Sequence, residues 1–167
     1  MTPPARTPWI LRPIRPRDDA DIARVIRDVM TEHGCSGPGF ALHDGEVVEM
    51  SRSYRAPRSG YFVVERGGAV CGGAGFAPLE GSADDDVCEL RKMYFLPAAR
   101  GEGLGRAMLA LLLDEMRFAG FRRCYLETTS WMERAQRLYL QAGFSQQAAA
   151  EGATGHHGCD TFFSRLL

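Results

Sequence analysis

The segment "AARGEGLGRAML", residues 98–109, constrains this chain more than any other stretch. Gly101, Gly103 and Gly105 stand at alternating positions between Arg100 and Arg106. The apolar pattern of a strand, "VCELRKMYFL", comes before them and ends at Pro97. An apolar helical pattern follows, with Leu104, Met108, Leu111 and Leu112 on its expected buried face and Gly120 as its stop. In a strand–glycine–helix unit the first N–H groups of the helix have no internal acceptor, and the positive end of its dipole is exposed there. Glycines let a ligand approach that backbone closely. The segment therefore predicts an anion site at a helix N-terminus.

The flanking patterns supply the rest of a fold. "WILRPIRPRD" opens with a short strand. Asp18 is placed to cap a helix with Asp21 in its first turn; Ile22, Val25, Ile26 and Val29 form its apolar face, and Gly34 closes it. Residues 34–60 mix turn signals with one short helix near 44–55, and long excursions in compact domains are often functional. Tyr61–Glu65 and Ala69–Ala77 read as a hairpin around Gly67-Gly68. The glycines at 72, 73 and 75 predict a bulge or close packing in its second strand. "RRCYLETT" is a further strand. Ser130 and Glu133 have the spacing of a capping box and start a helix with Met132, Ala135, Leu138, Tyr139 and Ala142 on one face. Gly143 ends it, and "GFSQQ" and "CDTFFSRLL" read as closing strands. Hairpins early and strand–helix–strand units late imply a mixed sheet covered by helices.

The anion loop has three candidate readings. A Walker loop requires Lys-Ser/Thr, but Arg106-Ala107 stands there. A Rossmann fingerprint requires a third glycine where Met108 stands. The pattern R-x-x-G-x-G is met by Arg100, Gly103 and Gly105. With "CELRKMYFLPAARGEGLGRAML", with "AQRLYLQAGF" at 135–144, and with the separation between them, the chain resembles the GNAT superfamily of acyl-CoA-dependent N-acetyltransferases. The resemblance covers the chain from about residue 10. It implies an α/β (α+β mixed) fold, a twisted, mostly antiparallel mixed sheet flanked by helices. One domain is expected over 9–167, behind a flexible tail at 1–8.

The resemblance also implies a site. Acetyl-CoA is the expected co-substrate. Its pyrophosphate would meet the backbone from Gly101 through Glu102, Gly103, Leu104 and Gly105 to Arg106, with Arg100 and Arg106 adding charge. Its pantetheine arm would lie along Met93, Tyr94 and Phe95 like an added strand. The attacking amine must be neutral, and an alkyl amine has a pKa near 10.4, so a general base is needed. Glu89 is the first candidate, placed by strand alternation on the same face as Met93; Glu127 and a water chain are the alternatives. Tyr139 matches the family's tyrosine that protonates the leaving thiolate. Where the family often has a cofactor-binding asparagine, this chain has Met132.

Other features are weaker signals. Net charge is −1, which argues against a nucleic-acid partner. Cys35, Cys71, Cys88, Cys124 and Cys159 show no CxxC spacing, so neither zinc nor a disulfide framework is expected, and reduced thiols suit a cytoplasmic protein. No apolar run is long enough to span a membrane, and the N-terminal residues lack the apolar core of a secretory signal. His156, His157, Cys159 and Asp160 match no standard metal cage, and none is expected. Asp84–Asp86 form either a solvated turn or a rim for cationic acceptors. Arg52, Arg55 and Arg58 either favour an anionic acceptor or keep a loop soluble. The expected reaction is direct acetyl transfer to the primary amine of a small molecule; family members are often dimers, so the resemblance leaves a homodimer open, and nothing in the sequence specifies its interface. The rivals are a protein N-terminal or lysine acetyltransferase, an acyl-CoA sensor without turnover, and a nucleotide hydrolase.

Overall fold

The computed structural model describes residues 7–167; of the expected tail, only Thr7 and Pro8 fall among them, and they lack regular structure. Strand β1 (Ile10–Pro13) leads into helix α1 (Asp19–Glu32), whose buried stripe contains Ile22, Val25, Ile26 and Val29 as the periodicity requires. A four-residue helix, α2 (Met50–Ser53), stands in the excursion before the hairpin. That hairpin is β2 (Gly60–Arg66) and β3 (Ala69–Pro78). Gly67 and Gly68 both have positive φ, 61° and 85°, the backbone a two-residue hairpin turn demands. Then come β4 (Val87–Phe95), α3 (Leu104–Phe118), β5 (Arg123–Thr128), α4 (Glu133–Gln141), β6 (Ser145–Gln147) and β7 (Thr161–Leu166).

The strands form one seven-stranded sheet in the order β1-β2-β3-β4-β5-β7-β6. Its one parallel pair is β4 with β5, and that ladder is short: Val87, Cys88 and Glu89 opposite Arg123, Cys124 and Tyr125. Beyond Glu89 the two strands part. Helix α1 and the excursion cover one face with a cluster that includes Ile22, Ile26, Met50 and Val63. Helices α3 and α4 cover the other, through Met108, Leu112, Met116 and Tyr139.

Several local expectations give way to longer-range contacts. In α3 the buried stripe runs through Leu109, Leu113 and Met116 besides Leu104, Met108 and Leu112, whereas Leu111 is only half-buried. Asp18 makes no side-chain cap to α1. Its carboxylate instead takes two bonds from Arg12, at 2.7 and 2.9 Å, and one from the Arg15 amide. Ser130 forms no capping box, because its amide and hydroxyl both bind Asp160, at 2.6 and 2.8 Å.

The largest departure is in β4. Gly73 pairs with Tyr94 and Gly75 with Arg91, so β4 uses an extra residue against β3. The extra residue bends the backbone at Lys92, which has φ 50°. The buried Tyr61 hydroxyl donates to the Lys92 carbonyl at 2.8 Å, satisfying a group the ladder leaves unpaired. The glycines opposite make room for that tyrosine: a Cβ at Gly75 would stand 2.5 Å from its ring, and one at Gly73 2.6 Å. The bulge reverses alternation. Met93 therefore packs with the Cys88 and Leu90 side of the sheet, and Glu89 and Met93 do not share a face.

Candidate active site

The parting of β4 and β5 opens a cleft of about 720 Å³. Met93, Tyr94 and Phe95 line it, as do Arg100, Gly101, Gly103, Leu104, Gly105 and Arg106; Glu102 does not. The turn before α3 explains this. Gly101 and Gly103 take φ of 78° and 76°, conformations that cost a side-chain-bearing residue steric strain. A Cβ on either would meet nothing within 4 Å, so their requirement is conformational. Gly105 differs: it lies in the first turn of α3, and its Cβ would stand 3.4 Å from Leu138 Cδ2 on α4. Ala107 donates to the Gly103 carbonyl at 3.1 Å, which leaves the amides of residues 104–106 at the free end of the helix. Arg100 lies at the cleft but is not free to follow a ligand's charge. Its guanidinium grips both carboxylate oxygens of Glu32 at 2.7 Å, and its Nε donates to the Phe95 carbonyl. Trp131 spans the mouth, donating from its indole to the His33 carbonyl at 3.0 Å.

A smaller cavity of about 70 Å³ adjoins this cleft, and Met93, Tyr94, Met132, Ala135 and Tyr139 line both. Glu89, Glu127 and His156 line the cavity. Glu89 is 2% exposed, and Arg91 Nε donates to its Oε2 at 2.6 Å. Burial pushes its carboxyl above the ordinary glutamate range, against the pull of Arg91. Glu127 accepts from the Tyr125 hydroxyl at 2.9 Å and from Thr154 at 3.0 Å. Tyr139 is buried against Phe144 and Phe163, and burial holds its phenol protonated far above neutral pH. Thr129 Oγ1 is the one buried side-chain polar atom among the described residues that finds no partner, and Thr129 lines this cavity.

Behind the cavity lies a cluster that the sequence did not reveal. Lys92, turned inward by the bulge, is 2% exposed at its side chain and pairs with Asp44 at 2.7 Å and with Glu46. The Tyr54 hydroxyl also donates to Glu46, at 3.0 Å. Asp44 and Glu46 sit in a turn-rich stretch with no periodicity to mark them. Of the His/Cys group near the C-terminus, His156 and Cys159 line the cavity, and burial pushes the Cys159 thiol up to about 12. His157 and Asp160 do not line it. No group that could hold a metal occurs among the described residues. The two charge clusters lie elsewhere. Arg58 stacks on Phe121 at 4.0 Å and donates to the Asp85 carbonyl at 2.7 Å. Neither cluster lines the cleft or the cavity.

A sheet split between a parallel pair, with helix amides at one mouth and a buried acid and a buried phenol lining one cavity further in, has the architecture of an acyl-CoA-dependent acyltransferase. The chain belongs to the Acetyltransferase (GNAT) family, whose sequence profile matches residues 26–144. It is 43% identical over 159 residues to an uncharacterised N-acetyltransferase of Escherichia coli K12, YjgM, covering 95% of each chain. It is 34% identical to an IAA acetyltransferase of Azospirillum brasilense over 60% of this chain and 61% of that one. Among solved structures, a GNAT acetyltransferase of Brucella melitensis in complex with acetyl-CoA is 29% identical, with a TM-score of 0.65 over 83% of this chain and 84% of that one. An acetyltransferase of Staphylococcus aureus Mu50 shares the fold with a TM-score of 0.82 at 14% identity, covering 95% of this chain and 99% of its own. No helix of the described residues is long and apolar enough to cross a membrane.

Proposed function

We propose that the protein, as one domain spanning residues 9–167, transfers acetyl from acetyl-CoA to the primary amine of a small molecule, by direct attack with both substrates bound. The observation that carries this reading is the meeting of Glu89 and Tyr139 in one cavity that opens on the cleft. The thioester supplies the activated acetyl group, and the chain supplies the rest. The free amides at the start of α3 bind the pyrophosphate, and the unpaired edge of β4 from Met93 to Phe95 holds the pantetheine arm. Glu89 takes a proton from the incoming ammonium; its raised pKa suits a base working nearer neutral pH than an ordinary glutamate. Tyr139, kept protonated by burial, gives a proton to the departing thiolate. The unpartnered Thr129 hydroxyl supports a ligand in the cavity, and it offers a hydrogen bond close to where Met132 replaces an amide side chain.

The cavity's small volume favours a small acceptor over a folded protein surface. The test is thiol release from acetyl-CoA over a panel of small primary amines and, separately, peptides with free N-termini or lysines. Turnover confined to the small amines supports the proposal. Turnover with peptides alone replaces it with the protein acetyltransferase reading. Acetyl-CoA binding with no turnover on either panel favours a sensor.

A further inference from the structure

The two irregular segments of the chain meet over the small cavity. Gly158 donates to the Gly39 carbonyl at 3.0 Å, and it lies so close under the Phe40 ring that a Cβ there would stand 2.5 Å away. Asp44 comes from the first segment and His156 from the second. Asp44 Oδ2 lies 3.0 Å from His156 Nε2 and 2.7 Å from Lys92 Nζ. An ionised carboxylate only accepts, so the hydrogen of the neutral ring belongs on Nε2. Nδ1 then presents its lone pair. It faces Glu89 Oε1 at 3.9 Å and Glu127 Oε2 at 4.0 Å. Neither distance is a hydrogen bond, but each fits a single intervening nitrogen or oxygen at about 2.8 Å from both sides.

We infer that His156, oriented by Asp44, is a second proton acceptor for the substrate amine, working beside Glu89. The inference rests on the reading of Glu89 as the first base. An alkylammonium loses two protons in becoming an amide. The first leaves to free the lone pair that attacks the thioester carbonyl carbon. The second leaves as the C–N bond is made and the C–S bond breaks. One proton ends on the thiolate sulfur by way of Tyr139, and the other goes to solvent. A single carboxylate holds one proton at a time. Glu89 takes the first on Oε1, His156 takes the second on Nδ1, and Asp44 stabilises the imidazolium. Four charged groups face this ring: Asp44 before α2, Glu89 and Lys92 on β4, and Glu127 on β5. The bond from Asp44 raises the imidazole's affinity for a proton; burial and Lys92 oppose it and Glu89 assists. His156 also answers a question of architecture. It links the two irregular segments to the carboxylates of β4 and β5 through one side chain.

The test is ¹⁵N NMR of the histidine rings in the full chain, with His156→Gln used to assign the His156 signals among those of His33, His43 and His157. The neutral His156 ring is expected as the Nε2–H form, with a midpoint above the ordinary 6.5 that falls in Glu89→Gln. A neutral Nδ1–H form, or a midpoint at or below 6.5, overturns the inference. The second arm uses acetyl-CoA and the panel amine that releases thiol fastest. His156→Gln is expected to lower kcat at least 10-fold at pH 7, with the deficit shrinking as pH rises and the amine sheds its own proton. His157→Gln, which alters an exposed ring, is the control for unchanged rate. Loss by one constant factor across pH marks His156 as merely structural and overturns the proton role. An unaltered rate in Glu89→Gln would instead remove the first base, while the ring titration still reports on His156.

Discussion

Alanine at Gly103 and at Gly105 should push stability in opposite directions. Gly103 has φ 76° and open space around its missing Cβ, so Gly103→Ala carries only the strain of a left-handed alanine. That strain is about 1–2 kcal/mol, which for a chain of this size lowers Tm by roughly 2–8 °C. Gly105 is in the first turn of α3, where a Cβ would make ordinary contact with Leu138 at 3.4 Å and Met93 at 3.8 Å. Alanine is about 0.8–1 kcal/mol better than glycine within a helix, so Gly105→Ala should raise Tm by roughly 2–4 °C. The same methyl group would stand on the floor of the cleft. Acetyl-CoA at about 100 times Kd should add roughly 2.7 kcal/mol to the wild type, or about 5–10 °C. Gly105→Ala should therefore melt higher alone and gain less from acetyl-CoA. Paired melts with and without acetyl-CoA read both effects, with ATP as the control ligand. A full acetyl-CoA shift in Gly105→Ala would refute the idea that a ligand closes on this backbone. An unchanged melt in Gly103→Ala would refute the strain.

Further outcomes can be measured on the same protein. Glu89→Gln should lower kcat by about 10²–10⁴ with little change in acetyl-CoA binding. The wild-type rate should rise with pH through a midpoint above the ordinary glutamate value, since the base works ionised, and that limb should vanish in the variant. Tyr139→Phe should lower kcat about 10-fold or more and leave the acetyl-CoA melt shift intact, as expected of a proton donor on the general acid–base scale. Asp18→Asn breaks the buried pair with Arg12 and should cost on the order of 2–4 kcal/mol at pH 7 in denaturant unfolding. Arg12 holds the folded Asp18 carboxyl below its ordinary 3.8. The wild type's advantage should thus be complete above that value and fade as pH falls toward the lower folded one.

Where structure follows from neighbours in sequence, the chain was legible. Gly67-Gly68 marks its hairpin because a two-residue turn needs positive φ twice, and the alternating glycines mark the turn into α3 for a related reason. The stripe of α1 reads correctly because its apolar residues recur at helical spacing. Legibility fails where a distant residue decides. Nothing near Lys92 announces a left-handed lysine; its bulge depends on Tyr61, on another strand. That one residue undid the expected pairing of Glu89 with Met93 on a single face. Ser130 and Glu133 have the right spacing for a capping box, yet Asp160 takes both groups of Ser130 that were to cap the helix. The Asp44–His156–Lys92 cluster was hidden for the same reason, since it joins two segments without periodicity. The glycine turn into α3 was visible as a motif, whereas the surroundings of the candidate base were not.

The parting of β4 and β5 also bears on how the molecule avoids sticking to its own kind. A sheet's exposed edges are templates for pairing with other chains. Here the outer edges are β1 and β6, of four and three residues, too short to recruit a long partner strand. The longer run of unpaired backbone, from Leu90 onward in β4, is turned inward on the cleft, where Trp131 bridges the mouth. The chain thus turns its most adhesive backbone onto the cleft and shows neighbouring molecules little that they could extend into a fibril.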